Sequence, residues 1–195
     1  MKERAYAVYN APEYDDWLEE QSAKSQVQVR QRISHIQDDG YFGDHKNVDD
    51  EVWELRWKNG RRIYYACILD KKILLLLGGN KNGQDKDIRQ AKKSSISTFP
   101  LSKGSKMKLK KDTGIRNSNP TKELLDEELI GRAIWECLKN GDSEGVIEVI
   151  SIYLEAANKA QIAKASAIAR STMYHTLKSK NPTVKTLAKL VHACV

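Results

Sequence analysis

The chain has 195 residues, of which 30% are charged and 40% hydrophobic, and its net charge is +7. The longest apolar run, residues 73–77, is too short to cross a bilayer, and the first residues lack the apolar segment of a signal peptide, so we expect a cytoplasmic protein. Its 3 cysteines are too few and too widely spaced for a disulfide framework or a zinc site, and we expect them to be small core residues.

The first 93 residues have the pattern of an α+β domain, in which two helices pack on an antiparallel sheet. Asn59-Gly60 is a strong signal for a hairpin turn, and Gly78-Gly79 is expected to end the third strand of the hairpin series. The predicted elements, in chain order, are a strand at 6–9, helices at 13–21 and 27–38, strands at 52–57, 61–69 and 72–77, and a helix at 85–93.

The rest of the chain predicts a linker and an all-α domain. Residues 94–122 are polar and basic and have no apolar periodicity, which is typical of a linker. Residues 123–195 follow as the all-α domain. Its first predicted helix starts at Thr121 and is broken by Asn140-Gly141-Asp142. The later helices are predicted at 146–157, as a helix-turn-helix pair within 159–177, and at 184–193. Leu125, Leu129, Ala133 and Leu138 are expected to line one side of the first of these helices.

Charge is distributed unevenly along the chain. Residues 123–158 contain 9 acidic and 2 basic side chains, whereas residues 159–195 contain 7 basic side chains and no acidic one. A wholly basic segment predicts a surface that faces nucleic-acid phosphates. The alternative is an ordinary solvated face.

Cations and aromatic residues alternate around the predicted hairpins. This combination suits single-stranded RNA, because cations hold phosphates and rings stack on bases. In the alternative, the rings belong to the core or its rim and the arginines pair with Glu54 or Asp70. His35 and His45 are isolated, and the sequence contains no metal cluster or phosphate-binding loop, so we expect no cofactor. The cations are Arg56, Lys58, Arg61, Arg62 and Lys81; the candidate RNA contacts are Lys58, Arg61 and Tyr65.

Several segments of the first domain carry a resemblance, in order and at matching spacing: 11–14, 53–56, 60–65, 74–81 and 84–88. In these segments the chain resembles the HigB-type toxins of the RelE/ParE superfamily, known as addiction-module killer proteins. The resemblance implies a small RNase that cuts messenger RNA on the ribosome without a metal. It places the catalytic residues at Arg62, Lys81 and Arg56. RelE has a tyrosine on the final helix where this chain reads Asp87-Ile88-Arg89, so no general base is assigned.

The second domain resembles HigA-like antitoxins in segments 126–130, 161–164, 170–174 and 181–183. These are addiction-module antidote proteins, and they resemble DNA binders of the lambda-repressor type, whose second motif helix enters the major groove. The turn has Ala167 where the family usually has glycine. Tyr174 could touch a phosphate or pack inside. The implied DNA contacts are Arg170, Ser171, Thr172, Tyr174, His175 and Lys178.

Together the two resemblances imply a toxin fused to its antitoxin. The first half would act on RNA and the second half on operator DNA, and the protein would be a homodimer. The alternatives are a non-enzymatic regulator that uses a degenerate toxin domain for dimerisation, and a gyrase inhibitor. The RNase hypothesis needs Arg62 and Lys81 exposed in one groove; their burial in salt bridges would favour the regulator. We expect the acidic segment to inhibit the toxin by facing its cations, with apolar contacts from Leu125, Leu129 or Trp135.

Overall fold

The computed structural model describes residues 4–49, 51–68, 71–98, 114–161 and 183–192. The described residues divide into two compact units. Those within Lys2–Gln21 and Arg32–Asn119 form the first, here called the sheet unit. Those within Ser22–Gln31 and Pro120–Val195 form the second, here called the helical unit.

The sheet unit is built on six strands in the order β2-β3-β4-β5-β1-β6. β2, β3, β4 and β5 form an antiparallel meander, whereas β1 pairs with β5 in parallel and with β6 antiparallel. The sheet is therefore mixed, and the expectation of a purely antiparallel sheet is wrong. The strands are β1 Ala7–Asn10, β2 His45–Asp49, β3 Val52–Arg56, β4 Arg61–Ile68, β5 Lys72–Asn80 and β6 Arg116–Asn117.

Helices cover this sheet. α1 is Pro12–Glu19, and α3 is Gln84–Thr98, preceded by a 3₁₀ turn at Lys81–Gly83. α2, Ala23–Asp39, is divided between the two units at residue 31. The apolar side chains of the central strands meet Ala91 of α3 in a core that excludes water, and this burial is the main stabilising term. The buried members of this cluster are Ala11, Val52, Tyr64, Ala66, Leu74, Leu76, Leu77 and Ala91.

The observed structure differs from the predicted elements at β5 and in the expected linker. Gly78-Gly79 does not end β5, which continues to Asn80. A Cβ built on Gly78 would lie 2.0 Å from the Trp17 ring, and one on Gly79 would lie 2.0 Å from Asp87 Oδ2. These glycines therefore serve close packing rather than termination. The expected linker is also partly structured, because α3 extends to Thr98 and β6 joins the sheet.

The helical unit contains helices of 4 to 19 residues, and α5 has a clear cap at each end. Asp126 caps α5 by accepting hydrogen bonds from the backbone N–H groups of Glu128 and Leu129. Gly141, with φ of +66°, follows α5 in the left-handed conformation that glycine adopts without strain. The helices are α4 Pro120–Glu123, α5 Glu127–Lys139, α6 Ser143–Gln161 and α7 Val184–His192.

The core of this unit differs in one position from the expected one. Leu129 and Ala133 are buried as expected, but Leu138 is 56% exposed and Cys137 takes the interior position. The expectation that cysteines lie in the core is confirmed for Cys137 and wrong for Cys67, which is exposed. The buried members of the core are Val27, Leu124, Leu129, Ile130, Ala133, Cys137, Val149, Ile150, Ile152, Tyr153, Leu154, Ala156 and Ala157.

The predicted helix-turn-helix falls mostly in residues 162–182, outside the described residues. The division into functional domains at 1–93, 94–122 and 123–195 stays a prediction. Among the described helices, none combines the length and the apolar character that a membrane span requires.

Candidate functional site

Strand register brings the predicted cations to one end of the sheet. Arg56 of β3 is paired with Arg62 of β4, and Arg62 is paired with Gly79 of β5. The backbone N–H of Lys81 donates to the carbonyl of Gly60 at 2.9 Å, which ties the start of the 3₁₀ turn to the β3–β4 hairpin. Because the hairpin and the end of β5 meet here, five cations share this end, called the cationic edge below: Arg56, Lys58, Arg61, Arg62 and Lys81.

Arg62 is the most constrained of them. Its side chain is 15% exposed, and its Nη1 donates to the backbone carbonyls of Trp57 at 3.2 Å and of Arg61 at 2.9 Å. Its Nε lies 3.8 Å from Oε2 of Glu54, which is too far for a hydrogen bond but close enough for an ion pair. Nε is buried and has no hydrogen-bond partner. Arg62 is thus held in place by its neighbours with one donor unused.

The other cations are more accessible. Arg56 is 34% exposed in its side chain and binds Asp44 Oδ1 through Nε at 3.1 Å and Nη2 at 2.6 Å. Lys58 and Lys81 are exposed. An exposed ion pair such as that of Arg56 is weak, so a phosphate could compete for the guanidinium. Lys58, Lys81 and Arg56 are therefore the cations of this edge that are most accessible to a nucleic acid.

Arg61 and Arg32 flank the indole of Trp57. The guanidinium of Arg32 lies 4.4 Å from the ring centroid and that of Arg61 lies 5.8 Å from it. Arg32 also donates to the backbone carbonyls of Phe42 and Asp44, and its burial lowers its pKa. Arg61 is only 8% exposed. These contacts fix the hairpin end, which makes Arg61 a structural residue as well as a candidate RNA contact.

Tyr65 lies in the core. It is 1% exposed, its ring stacks on Phe42 at 5.5 Å, and its hydroxyl is 2.9 Å from His45 Nδ1. Burial raises the pKa of the Tyr65 phenol. An RNA base could stack on this ring only if the covering side chains moved, so Tyr65 as an RNA contact stays a prediction.

Sequence reasoning missed a polar cluster beneath α3. Glu54 is 2% exposed and accepts a hydrogen bond from Gln84 Nε2 at 3.1 Å. The Tyr64 hydroxyl is buried without a hydrogen-bond partner, and burial together with Asp87 and Glu54 raises its pKa. Burial also raises the pKa of Asp87, which lies against Gly79. The alternation of Glu54 and Arg56 on one strand face was the signal that could have found this cluster.

The remaining predicted residues are placed as follows. Leu129 lies in the core of the helical unit, Leu125 packs partly against it, and Trp135 is 62% exposed. Among the described residues, no three His, Cys, Asp or Glu side chains are grouped to hold a metal ion. The predicted DNA contacts Arg170, Ser171, Thr172, Tyr174, His175 and Lys178 lie outside the described residues and stay predictions.

Comparison with known proteins assigns the two halves separately. Residues 16–98 match the family described as "Phage derived protein Gp49-like (DUF891)", and residues 114–195 match the family described as "Probable addiction module antidote protein". An uncharacterized protein of Haemophilus influenzae (strain ATCC 51907 / DSM 11121 / KW20 / Rd) is 39% identical over 82 residues, which are 40% of this chain and 82% of that protein. No solved structure matches the chain significantly. The chain therefore belongs, in its matched part, to the family of this Haemophilus influenzae protein, and its two halves support a toxin–antitoxin role.

Proposed function

We propose that the chain is a toxin–antitoxin fusion of the HigB and HigA type. Its Gp49-like half is a metal-independent endoribonuclease that cuts messenger RNA on the ribosome. Its antidote half neutralises that activity and binds operator DNA as an autorepressor. The two family matches, in the order toxin then antidote, support the overall role, and the cationic edge supports the choice of RNA as the target.

The observation that carries the RNase proposal is the convergence of Arg56, Lys58 and Lys81 with Arg62 at one end of the sheet. In cleavage without a metal, a ribose 2′-hydroxyl loses its proton and attacks the adjacent phosphorus to form a 2′,3′-cyclic phosphate. The bond from phosphorus to the 5′-oxygen of the next nucleotide breaks, and that oxygen takes up a proton, so the strand must be held in line. Exposed Lys58 and Lys81 would hold phosphates on either side of the scissile bond. Arg62, whose side chain is 15% exposed at the same edge, would stabilise the charge that develops on the phosphorane.

The test compares two exposed lysines in residues 1–98, which end with α3. Folding is first confirmed by cooperative thermal unfolding. Lys81→Ala should reduce cleavage of translating messenger RNA by about 10²–10³-fold, the cost of losing one charge-stabilising donor. Lys93→Ala, an exposed lysine of α3, should leave cleavage unchanged. Intact messenger RNA with the folded wild-type fragment would refute the RNase proposal. Growth arrest without RNA cleavage would direct the next assay to gyrase.

A second candidate is favoured by the Arg62–Glu54 pair. Because Arg62 is mostly buried beside a carboxylate, the Gp49-like half could be a degenerate toxin that serves only dimerisation in a transcriptional regulator. Under that hypothesis, residues 1–98 neither arrest growth nor cut RNA, yet their deletion from the full chain abolishes dimerisation. The first hypothesis predicts arrest, so one growth assay separates the two.

The DNA-binding part of the proposal rests on residues 159–195, which hold 7 basic residues and no acidic one. As a dimer, the protein would read two half-sites about 34 Å apart. Arg170→Ala should weaken binding to the chain's own promoter by about 1–3 kcal/mol if Arg170 reads a base. Lys178→Ala should weaken binding to all sequences alike if it meets only phosphate. Unchanged gel-shift affinity for both variants would refute this placement.

A further inference from the structure

The first half of α2 belongs to the helical unit. Residues 22–31 cluster with residues 120 onward, although they fall within the Gp49-like match at 16–98. Val27 is 0% exposed and lies in the same buried core as Leu129, Ala133 and Cys137, which fall within the antidote match. Ala23, one turn earlier, packs against this core. A helix that begins in the toxin-like sequence thus completes the apolar core of the antidote-like sequence.

Lys24 forms the polar part of this contact. Its Nζ lies 2.5 Å from Asp142 Oδ2 and 3.8 Å from Glu148 Oε2, and its backbone N–H donates to Glu136 Oε2 at 3.2 Å. The bond to Asp142 raises the pKa of Lys24 and lowers that of Asp142. The first N–H groups of a helix have no partner within the helix, so the Glu136 carboxylate caps α2.

Further contacts continue along the same helix face. Arg30 Nε lies 2.9 Å from Glu123 Oε2, and Gln28 Nε2 donates to both carboxylate oxygens of Glu148 at 3.0 and 2.9 Å. Gln31 Nε2 donates to Glu155 Oε2 at 3.2 Å. Four carboxylates of the acidic segment therefore contact four α2 side chains, and a fifth, that of Glu136, contacts the α2 backbone. The sequence did not predict this pairing, because α2 shows no concentration of charge.

A glycine makes room for the central pair. A Cβ built on Gly145 would lie 2.4 Å from Asp142 Oδ2 and 2.7 Å from Lys24 Nζ. Asp142 Oδ1 at the same time accepts the backbone N–H of Gly145 at 2.8 Å and so caps α6. One carboxylate thereby orders the start of α6 and binds the toxin-like helix.

We propose that residues 22–31 are the docking surface through which the antidote-like segment, residues 120–161, holds the toxin-like segment. This inference rests on the proposed function in one respect: neutralisation acts through this contact. The surface combines a buried apolar side chain, Val27, with a lysine, Lys24, that binds carboxylates. It therefore fits a helical partner that has both an apolar core face and acidic side chains. Opening the contact would expose the buried side chain of Val27 and remove the Glu136 carboxylate from the backbone N–H of Lys24.

The test uses the full chain and hydrogen exchange of individual amides. Lys24→Glu should speed exchange at least tenfold in residues 24–31 and 129–137. A glutamate at the start of α2 interacts favourably with the helix dipole and would by itself stabilise the helix. Faster exchange must therefore come from its repulsion by Asp142, Glu148 and Glu136. The matched control Lys185→Glu reverses an exposed charge in the first turn of α7 and should change exchange less than twofold. Strands β4 and β5 should stay protected throughout.

Two more variants guard against a folding artefact. Asp142→Asn removes the charge but keeps an oxygen to cap α6, and it should speed exchange in residues 24–31 about threefold or more. Adding Glu148→Lys to Lys24→Glu should restore at least half of the lost protection by forming a reversed pair. Unchanged exchange in both Lys24→Glu and Asp142→Asn would overturn the docking surface.

Growth separates this inference from the proposed function. If both hold, full-length Lys24→Glu arrests growth, and adding Lys81→Ala removes the arrest. Faster exchange without arrest, in a strain where residues 1–98 do arrest growth, would overturn neutralisation through this contact. Faster exchange with no arrest by either protein would retain the docking surface and reject the toxin activity instead.

Discussion

Glu54 and Arg62 lie diagonally across β3 and β4, and their charged groups approach to 3.8 Å where the sheet is nearly closed to solvent. Glu54 is paired in register with Tyr64, and Arg62 with Arg56. Diagonal neighbours on one face of an antiparallel pair are within reach of long side chains. The pair therefore fixes the guanidinium at the cationic edge, and its disruption has a stability cost separate from any loss of activity.

Arg62→Ala should lower the free energy of unfolding by about 3 kcal/mol, because it leaves the Glu54 carboxylate buried with only Gln84 as a donor. Arg62→Ala combined with Glu54→Gln should recover at least 1 kcal/mol of that loss. Urea denaturation of the wild type, Arg62→Ala, Glu54→Gln and the double variant measures the coupling free energy. Strictly additive effects would show that the two side chains do not interact energetically.

A pair of glycine substitutions tests the packing of β5. Gly78→Ala should destabilise the sheet by about 1–3 kcal/mol, because its methyl group would overlap the Trp17 ring. Gly131→Ala, in the interior of α5 with nothing within 4 Å of the new Cβ, should stabilise the chain by about 0.5–1 kcal/mol. Thermal unfolding of both variants should show opposite shifts in Tm. A lower Tm for both would contradict the assignment of Gly131 to open space.

Asp87→Asn should stabilise the protein at pH 7. Burial raises the pKa of Asp87 above 3.8, so its ionised form opposes folding, and this cost appears as the pH rises through the folded-state pKa. The asparagine side chain has no charge to desolvate, and its oxygen can still accept the hydrogen bond from the backbone N–H of Asn80. The Tm difference from wild type should be largest near neutral pH and vanish below about pH 3.8. A difference independent of pH would show that Asp87 is not desolvated.

The Lys24–Asp142 pair should make the helical unit sensitive to acid. Because the folded-state pKa of Asp142 is lowered, its contribution is present above pH 3.8 and is lost as the pH falls through the folded-state value. The pKa of Lys24 is raised, so the same contribution is also lost at pH values above 10.5. Wild type should therefore exceed Asp142→Asn in stability at pH 6 and match it near pH 2. Equal stability at pH 6 would contradict a stabilising pair.

The sequence predicted the strands that have a buried face. β3 (Val52–Arg56) and β4 (Arg61–Ile68) lie where they were expected, with Asn59-Gly60 in the hairpin between them, although their burial does not alternate and Glu54 is buried. β2 was missed because its exposed, mostly polar residues at the sheet edge need no apolar face. The parallel pairing of β1 with β5 joins segments more than 60 positions apart, which local pattern does not encode.

The cations of the site and the pairing of an arginine with Glu54 were predicted, whereas the contacts of Gln84 and Asp87 were not. Arg62 and Lys81 are brought to one end of the sheet as expected, because strand alternation and a hairpin fix their places. Burial of Glu54 by Gln84 depends on where α3 crosses the sheet, and no spacing along the chain reports that. α2 begins at Ala23 rather than Val27, because Ser22 caps its first turn locally and Glu136 accepts the backbone N–H of Lys24.

The distance along the chain between Lys24 and its partner has a consequence during synthesis. Asp142 follows Lys24 by 118 positions. At about 5–20 residues per second, a ribosome needs roughly 6–24 s to make that stretch. Once Asn80 has been made, the nascent chain contains the complete β2–β5 meander, while Lys24 still lacks its carboxylate partners and Val27 lacks the core that residues 120–161 supply. The later part of the interval is therefore a window in which the strands exist before the segment that contacts the start of α2. A ribosome that stalls between codons 98 and 142 would prolong that window.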